Sequence, residues 1–357
     1  MSPESGYPSM QSLTPPVLSG APHDIGHALG VLARPVMDDY MGQRGAWRAL
    51  RPWRGHSFVK QLWQAALAAY PEYVAELKGI AAGLGWPVDD VFLWNCRGEL
   101  IHNVPDGCTT LAVRARETRY IAHNEDGDPY LRDHAMLVDI RPTGKPGFIS
   151  FYYPGSLPGH TFAVNRAGLV QTINNLRIVQ PQAGVPRMVL ARAVLDVRSI
   201  GAAHSVLAGN ARASGFHHTL GCVGDERLLS IEATVLRCSV APIELRSGHA
   251  NHMTHSGSDQ ERQIVTASSL DRQNRVDRLL PALGEVNGAN LLDVLFDKAP
   301  AGLPIYRDDP ADPDDENTLA SAVFTIGPTG VAFEVHRLRE RCFENFITKD
   351  TQPRAVS

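Results

Sequence analysis

The first place where residue types and spacing could do covalent chemistry is Gly107-Cys108-Thr109-Thr110. A cysteine thiolate attacks acyl carbon readily, and its surroundings set how reactive it is. The preceding glycine has no Cβ, so it tolerates unusual backbone angles and a close approach to its carbonyl. Alone, the pair reads equally as a turn glycine followed by a buried small thiol. A nearby acidic residue adds to the functional reading. The expected turn between the first two strands falls at Arg116-Glu117-Thr118. Centred on Glu117, it sets Cys108 and Asp126 opposite one another in an antiparallel hairpin, with Cβ atoms ~5 Å apart. Thiol and carboxylate would meet at the hairpin's open end.

Other clusters have plainer readings. His249, His252 and His255 recur every third residue, a spacing that can ligate a metal on a helix. Gly248 and Asn251 argue against a helix there, and a short histidine-rich tract is only a compositional signal. Asn124-Glu125-Asp126-Gly127-Asp128 lacks the alternating acids and closing glutamate of a calcium loop. No metal is expected. His160, His217 and His218 read as polar residues beside a pocket, and Cys96, Cys222 and Cys238 as core thiols. Arg97 is either a salt-bridge partner that positions the segment before Cys108 or a surface arginine. Asn174 and Asn175 end a strand and either line a site or make a turn.

The elements that must position these groups follow from periodicity. Apolar spacing of three and four predicts helices over residues 24–40, 58–69, 73–83 and 87–101. A break is expected at residues 103–107. From Cys108 the texture changes to strands at 109–114, 120–124, 136–140, 148–152, 161–164 and 169–173, separated by turn residues. Helices follow at 186–195 and 201–208, strands at 218–223, 228–233 and 235–240, and helices at 268–280 and 290–296. Residues 319–326 and 331–335 read as a hairpin. Residues 1–22 read as a loose arm, and the Asp- and Pro-rich stretch 307–317 as an exposed loop. This succession argues for an α+β layered fold.

Composition narrows the class. Of 357 residues, 43% are hydrophobic and 20% charged, with a formal net charge of -4. That is the profile of a globular chain with a sizeable core, and no basic patch or amphipathic run suggests nucleic acid or membrane as a partner. The start lacks the apolar run of a signal peptide. The five cysteines are widely spaced without a C-x-x-C pair. They point to reduced thiols and a cytoplasmic location.

Several motifs, in order, resemble one family. They are Glu76-Leu77-x-Gly79-Ile80-Ala81, Asn95-x-Arg97-x-Glu99, Gly107-Cys108-Thr109-Thr110, Asn124-Glu125-Asp126, Phe162-x-x-Asn165-x-x-Gly168-Leu169 with Asn174-Asn175, Asn251-His252 and Thr318-Leu319. The chain is similar over roughly residues 21–345 to the acyl-coenzyme A:isopenicillin N (6-aminopenicillanic acid) acyltransferase family. This is peptidase family C45, a group of N-terminal-nucleophile hydrolases that includes β-alanyl-dopamine hydrolase. The resemblance implies a four-layer αββα fold and an inactive precursor that cuts itself between Gly107 and Cys108. Residues 1–21 would be an N-terminal arm, 22–107 a helical α-subunit and 108–357 the catalytic β-subunit, the two subunits forming one domain.

The resemblance also assigns roles. The Cys108 thiol would attack the Gly107 carbonyl, and water would hydrolyse the resulting ester. The freed α-amine, with an ordinary pKa near ~7.7–8, could then take the thiol proton. An amide or thioester substrate would acylate Cys108, and water or an amine would accept the acyl group. Asp126 would orient Cys108 and hold its amine, and the side-chain amide of Asn251 would donate to the oxyanion. Thr109, Asn124, Arg97, Asn174, Asn175 and His252 would support the site. No cofactor is implied, although a coenzyme A thioester could serve as co-substrate. The partners would be a small-molecule substrate and the two associated cut chains, and a homo-oligomer stays open. Two other readings remain: a cysteine amidohydrolase that never cuts itself and uses His252 or another imidazole as base, and a non-enzymatic binding protein of the same fold.

Overall fold

In the computed structural model, which describes residues 14–43, 45–101, 106–300 and 302–349, the part before the glycine-cysteine junction is mostly helical. A short strand, Val17–Gly20 (β1), leads into Pro22–Gln43 (α1), Gly45–Leu50 (α2), Ser57–Ala69 (α3), Pro71–Leu84 (α4), Val88–Asn95 (α5) and Arg97–Leu100 (α6). The helices α1 and α4 pack against each other so closely that a Cβ at Gly26 or Gly30 would strike the α4 backbone, and one at Gly79 or Gly83 the α1 backbone. Glycines four apart share one helix face, so each helix offers a side-chain-free groove to the other. α4 ends where Gly85, at φ 76, takes the left-handed C-cap.

Strands dominate after the junction. They are Asp106–Ala115 (β2), Thr118–Gly127 (β3), Met136–Pro142 (β4), Phe148–Tyr152 (β5), Phe162–Asn165 (β6) and Leu169–Leu176 (β7). The helices Arg187–Val194 (α7) and Ile200–Ala208 (α8) come next, then Gly215–Cys222 (β8), Asp225–Ala233 (β9), Cys238–Pro242 (β10) and Arg246–His249 (β11). The chain continues through Ala267–Ala282 (α9), Gly288–Leu295 (α10), Asn317–Ile326 (β12), Gly330–Arg337 (β13) and Glu340–Thr348 (β14).

Two sheets result. One has the order β1-β4-β5-β6-β7-β8-β9-β10 and the other β11-β2-β3-β12-β13-β14. Their inner faces meet through a run of aromatic rings. Phe151 stacks on Phe162 at 5.1 Å between centroids in the first sheet, and Phe324 on Phe333 at 4.5 Å in the second. Phe162 and Phe324 approach edge to face at 6.3 Å and join the pairs. α1 and α8 pack on the eight-stranded sheet, with α4 on α1 and α7 on α8, while α9 and α10 cover the six-stranded sheet. The fold is α+β with four αββα layers.

Several expectations need correction. Residues 1–13 lie outside the described part, but β1 is no loose arm: it pairs in parallel with β4, Val17 opposite Asp139. The helix expected over residues 87–101 divides into α5 and α6, because Cys96 leaves the helical conformation. Of the break expected at 103–107, residues 103–105 lie outside the described residues, and Asp106 and Gly107 already belong to β2. The helix α2 and the strands β11 and β14 were not expected. β14 carries Glu340, Arg341 and Glu344 at the edge of its sheet, where charge guards against further pairing and hides the strand pattern.

The register of the first hairpin also differs. Ala115 pairs with Thr118, so the turn is centred between Arg116 and Glu117 rather than on Glu117. Arg116 takes φ 50 there, the geometry of a tight hairpin turn. The shift places Glu125 opposite Cys108, and Asp126 opposite Gly107. Side chains alternate between faces along a strand, so this small slip decides which carboxyl shares a face with the thiol.

Candidate active site

Cys108 sits in β2, only 2% exposed, with β3 on one side and the segment after β11 nearby. Its backbone is gripped at both polar atoms. The N–H donates to Asn251 Oδ1 at 2.8 Å, and Arg272 Nη1 donates to the carbonyl. Arg272 Nη2 also donates to Asn251 Oδ1 at 2.7 Å, and Nη1 to Thr109 Oγ1 at 3.0 Å. Both neighbours of Asn251 Oδ1 can only donate, which fixes the orientation of this amide. Its nitrogen end points to the Asn175 carbonyl at 3.3 Å. Ser269 on α9 accepts the Asn251 N–H at 2.8 Å and contacts His252 Nδ1 at the same distance.

The thiol looks into the space between the sheets. Its Sγ lies 3.6 Å from Glu125 Oε2. Glu125 accepts from the Tyr153 hydroxyl at 2.8 Å on Oε1 and meets His123 Nε2 at 3.0 Å on Oε2. Burial, and then the charges of Glu125, Asp106 and Asp126, push the Cys108 thiol well above its ordinary range, opposed by Arg272. Burial also drives Glu125 well up and lowers His123 to about 3. Each of these shifts favours the uncharged form of its group.

Asp126 occupies the other face. Its Oδ1 accepts from Thr318 Oγ1 at 2.6 Å, and that hydroxyl accepts the Arg307 N–H at 3.0 Å. Burial raises its pKa, against the pull of Arg272 and then the Thr318 bond and Arg307. Asp126 Oδ2 is buried and has no hydrogen-bond partner among the described residues. Gly107 faces the same side. A Cβ there would lie 2.5 Å from Glu316 Oε2 and 3.3 Å from the Asp126 Cβ. Glu316 accepts the Asp106 N–H at 3.0 Å and pairs with Arg307 at 3.0 Å. What Gly107 supplies is thus room for Glu316, within a strand, rather than freedom of backbone angle.

The Asp- and Pro-rich stretch 307–317 is mostly loop, but four of its residues are buried, Asn317 among them. Arg307, Asp312 and Glu316 are all buried, and Arg307 binds both acids. The expectation of an exposed loop therefore fails at these positions, while Asp309, Asp314 and Asp315 are exposed.

The supporting residues divide. Thr109 joins the Arg272 cluster. Asn175 accepts from Arg187 on its side chain and from Asn251 on its carbonyl. Asn174 accepts from Thr110 at 2.7 Å and His217 at 3.1 Å. Asn124 is anchored on the outer side, donating to the Leu295 carbonyl at 2.7 Å and accepting from Ser321 at 2.6 Å. Arg97 is buried, not a surface residue, and touches the Trp94 carbonyl, Ser156 and His160 rather than a carboxylate among the described residues. The imidazole in hydrogen-bond relay to the thiol is that of His123. His252 is engaged with Ser269.

The three histidines of residues 249–255 do not converge. His249 and His255 flank Glu232, and His249 stacks on His217 at 3.5 Å. Among the described residues, the ligand-type atoms that gather within 4.8 Å are those of Cys108, His123 and Glu125. They are already engaged with one another, and we assign them no ion. Cys96 and Cys222 are buried, Cys238 is half-buried, and all are free thiols.

Sequence reasoning missed Arg272, Glu125, His123, Tyr153 and Glu316. A signal existed for two of them. Arg272 stands on the same helix face as Ser268, Val276 and Leu280, the buried face of α9. Glu125 lies inside the Asn-x-Asp motif, at the position that a turn placed half a residue earlier brings opposite the cysteine.

Two comparisons show what the chain is similar to. The model of the acyl-coenzyme A:6-aminopenicillanic acid acyl-transferase family matches residues 113–340, starting just beyond Cys108. The chain is also similar to the beta-alanyl-dopamine/carcinine hydrolase of Drosophila melanogaster, 25% identical over 272 residues that cover 67% of this chain and 70% of the relative.

Proposed function

This chain belongs to the acyl-coenzyme A:6-aminopenicillanic acid acyltransferase family, and from that premise we propose that it is a self-cleaving amide hydrolase or acyltransferase whose nucleophile is Cys108. The observation that carries the reading is the sealed cysteine. Cys108 is 2% exposed. A cysteine hydrolase that stayed unbroken would need an open path to its thiol. Cutting at Gly107–Cys108 frees the end of the preceding segment to move away, and so makes the path.

The thiol adds to the Gly107 carbonyl, the amide bond breaks as the Cys108 nitrogen is protonated, and water hydrolyses the thioester. The products are chains 1–107 and 108–357. The new α-amine then stands beside Asn251 Oδ1, which already accepts from the same nitrogen. Asp126 Oδ2, buried and unpartnered, is the remaining acceptor we assign to this amine. As base, the amine takes the thiol proton, so one residue supplies both nucleophile and base.

A small amide or acyl thioester acylates Cys108, with the nitrogen of Asn251 as oxyanion donor. Water or an amine removes the acyl group, and a coenzyme A thioester would serve as acyl donor in the transfer direction. The test is the mass of the purified protein. Two associated polypeptides, 1–107 and 108–357, are expected, and Cys108→Ala should remain one chain. A Cys108→Ala protein still cut after Gly107 overturns self-cleavage by this thiol.

A further inference from the structure

The unbroken chain poses a chemical problem. Before the cut, the Cys108 nitrogen is an amide that donates to Asn251, so it cannot accept the thiol proton. The first step needs another base.

The hydrogen-bond chain on the inner face fixes where protons lie. The His249 carbonyl can only accept, so Asn174 directs Nδ2 to it at 3.0 Å and turns Oδ1 toward Thr110. Oδ1 also only accepts, so the Thr110 hydroxyl donates to it. The Thr110 oxygen, 2.8 Å from His123 Nδ1, must then accept. His123 therefore carries its proton on Nδ1, and Nε2 is a bare acceptor. That nitrogen lies 3.0 Å from Glu125 Oε2, the same oxygen that lies 3.6 Å from the thiol. Glu125 must donate to His123 through Oε2, while Oε1 accepts from Tyr153.

Resting on the self-cleavage reading, we infer that His123, through the carboxyl of Glu125, accepts the Cys108 thiol proton in the unbroken chain. The thiol proton moves to Glu125 Oε2 as the proton already there moves to His123 Nε2. The result is a thiolate, a neutral carboxyl and an imidazolium still bound to Thr110. The thiolate forms the S–C bond to Gly107. The proton returns as the C–N bond breaks and ends on the Cys108 nitrogen, so the step consumes no outside acid or base. Glu125 touches the reacting atom, whereas His123 acts through it and is a positioning residue for this step. Once the α-amine exists, it provides a second proton acceptor.

The test compares the full unmodified chain with Glu125→Gln and His123→Gln, following the cut fraction by mass spectrometry with and without hydroxylamine. Glutamine keeps much of the shape and polarity but cannot pass or hold the proton. Both variants should cut at least about 100-fold more slowly, the usual scale of lost general-base catalysis. Hydroxylamine should not release the chains, because no thioester forms. A merely structural role in later hydrolysis would leave a thioester that hydroxylamine cuts, and that result overturns the relay. Variants that cut at the unmodified rate overturn it alone, whereas an unmodified chain that stays uncut overturns the self-cleavage reading and the relay together. If the variants fail to fold, nitrogen-15 spectra of uncut Cys108→Ala decide. A bare Nε2 and a protonated Nδ1 on His123 support the relay, and the reverse tautomer overturns it.

Discussion

At the scale of single residues, the site is a set of buried groups on two faces of one strand pair. Asn251 meets the Cys108 nitrogen with its oxygen and leaves its nitrogen near the Asn175 carbonyl. In the proposed role of oxyanion donor it would act chiefly in the transition state, so Asn251→Ala should lower kcat by ~100-fold or more with little change in KM. A change confined to KM would make it a substrate contact. Asp126→Asn removes charge and little shape. A carboxylate beside the new amine favours its ammonium form and so stabilises a thiolate-ammonium pair. In enzyme assembled from separately expressed chains 1–107 and 108–357, Asp126→Asn should shift the pH profile of iodoacetamide alkylation at Cys108. An unchanged profile would reassign Asp126 to holding β3 against Thr318. The motif residues Gly107, Cys108, Asp126 and Asn251 were legible from sequence because they lie in short contiguous patterns. Arg272 and Glu316 were not, because each comes from an element far along the chain and reaches the site only by packing.

At the scale of elements, apolar periodicity and the turn residues between elements located most helices and strands. Register was harder. The hairpin of β2 and β3 was legible, but the turn conformation of Arg116 was not, and that shift exchanged the partners of Cys108. The helical pair shows another limit. Gly79 and Gly83 read only as part of the helix expected over residues 73–83, yet they create the groove that admits α1. Gly79→Ala should push α1 and α4 apart, because the added Cβ strikes the His23 carbonyl. Overpacking of this kind costs roughly 1–3 kcal/mol. Urea unfolding should show that loss in the midpoint, and an unchanged midpoint would mean that the helices shift without penalty.

At the scale of the whole molecule, the proposed cut runs through one core rather than between two. Ile80, Phe92 and Trp94 on the N-terminal side share a hydrophobic cluster with Leu137, Phe148 and Leu195 on the other. Polar contacts cross the boundary as well. Glu76 on α4 pairs with Arg192 on α7 at 3.2 Å, Tyr73 donates to Asp196 at 2.7 Å, and Asn95 accepts the Leu157 N–H at 2.7 Å. Glu76 is fully buried and Arg192 nearly so, so this ion pair lies inside the shared interior and ties the two sides together. Each chain alone would also expose a large apolar face. The cut chains should therefore elute together in native size-exclusion chromatography and unfold in one cooperative transition. Separating them should require denaturant and should abolish activity at the same concentration. If chain 108–357 instead elutes alone in native buffer with its activity intact, the first 107 residues serve only to seal Cys108 before the cut.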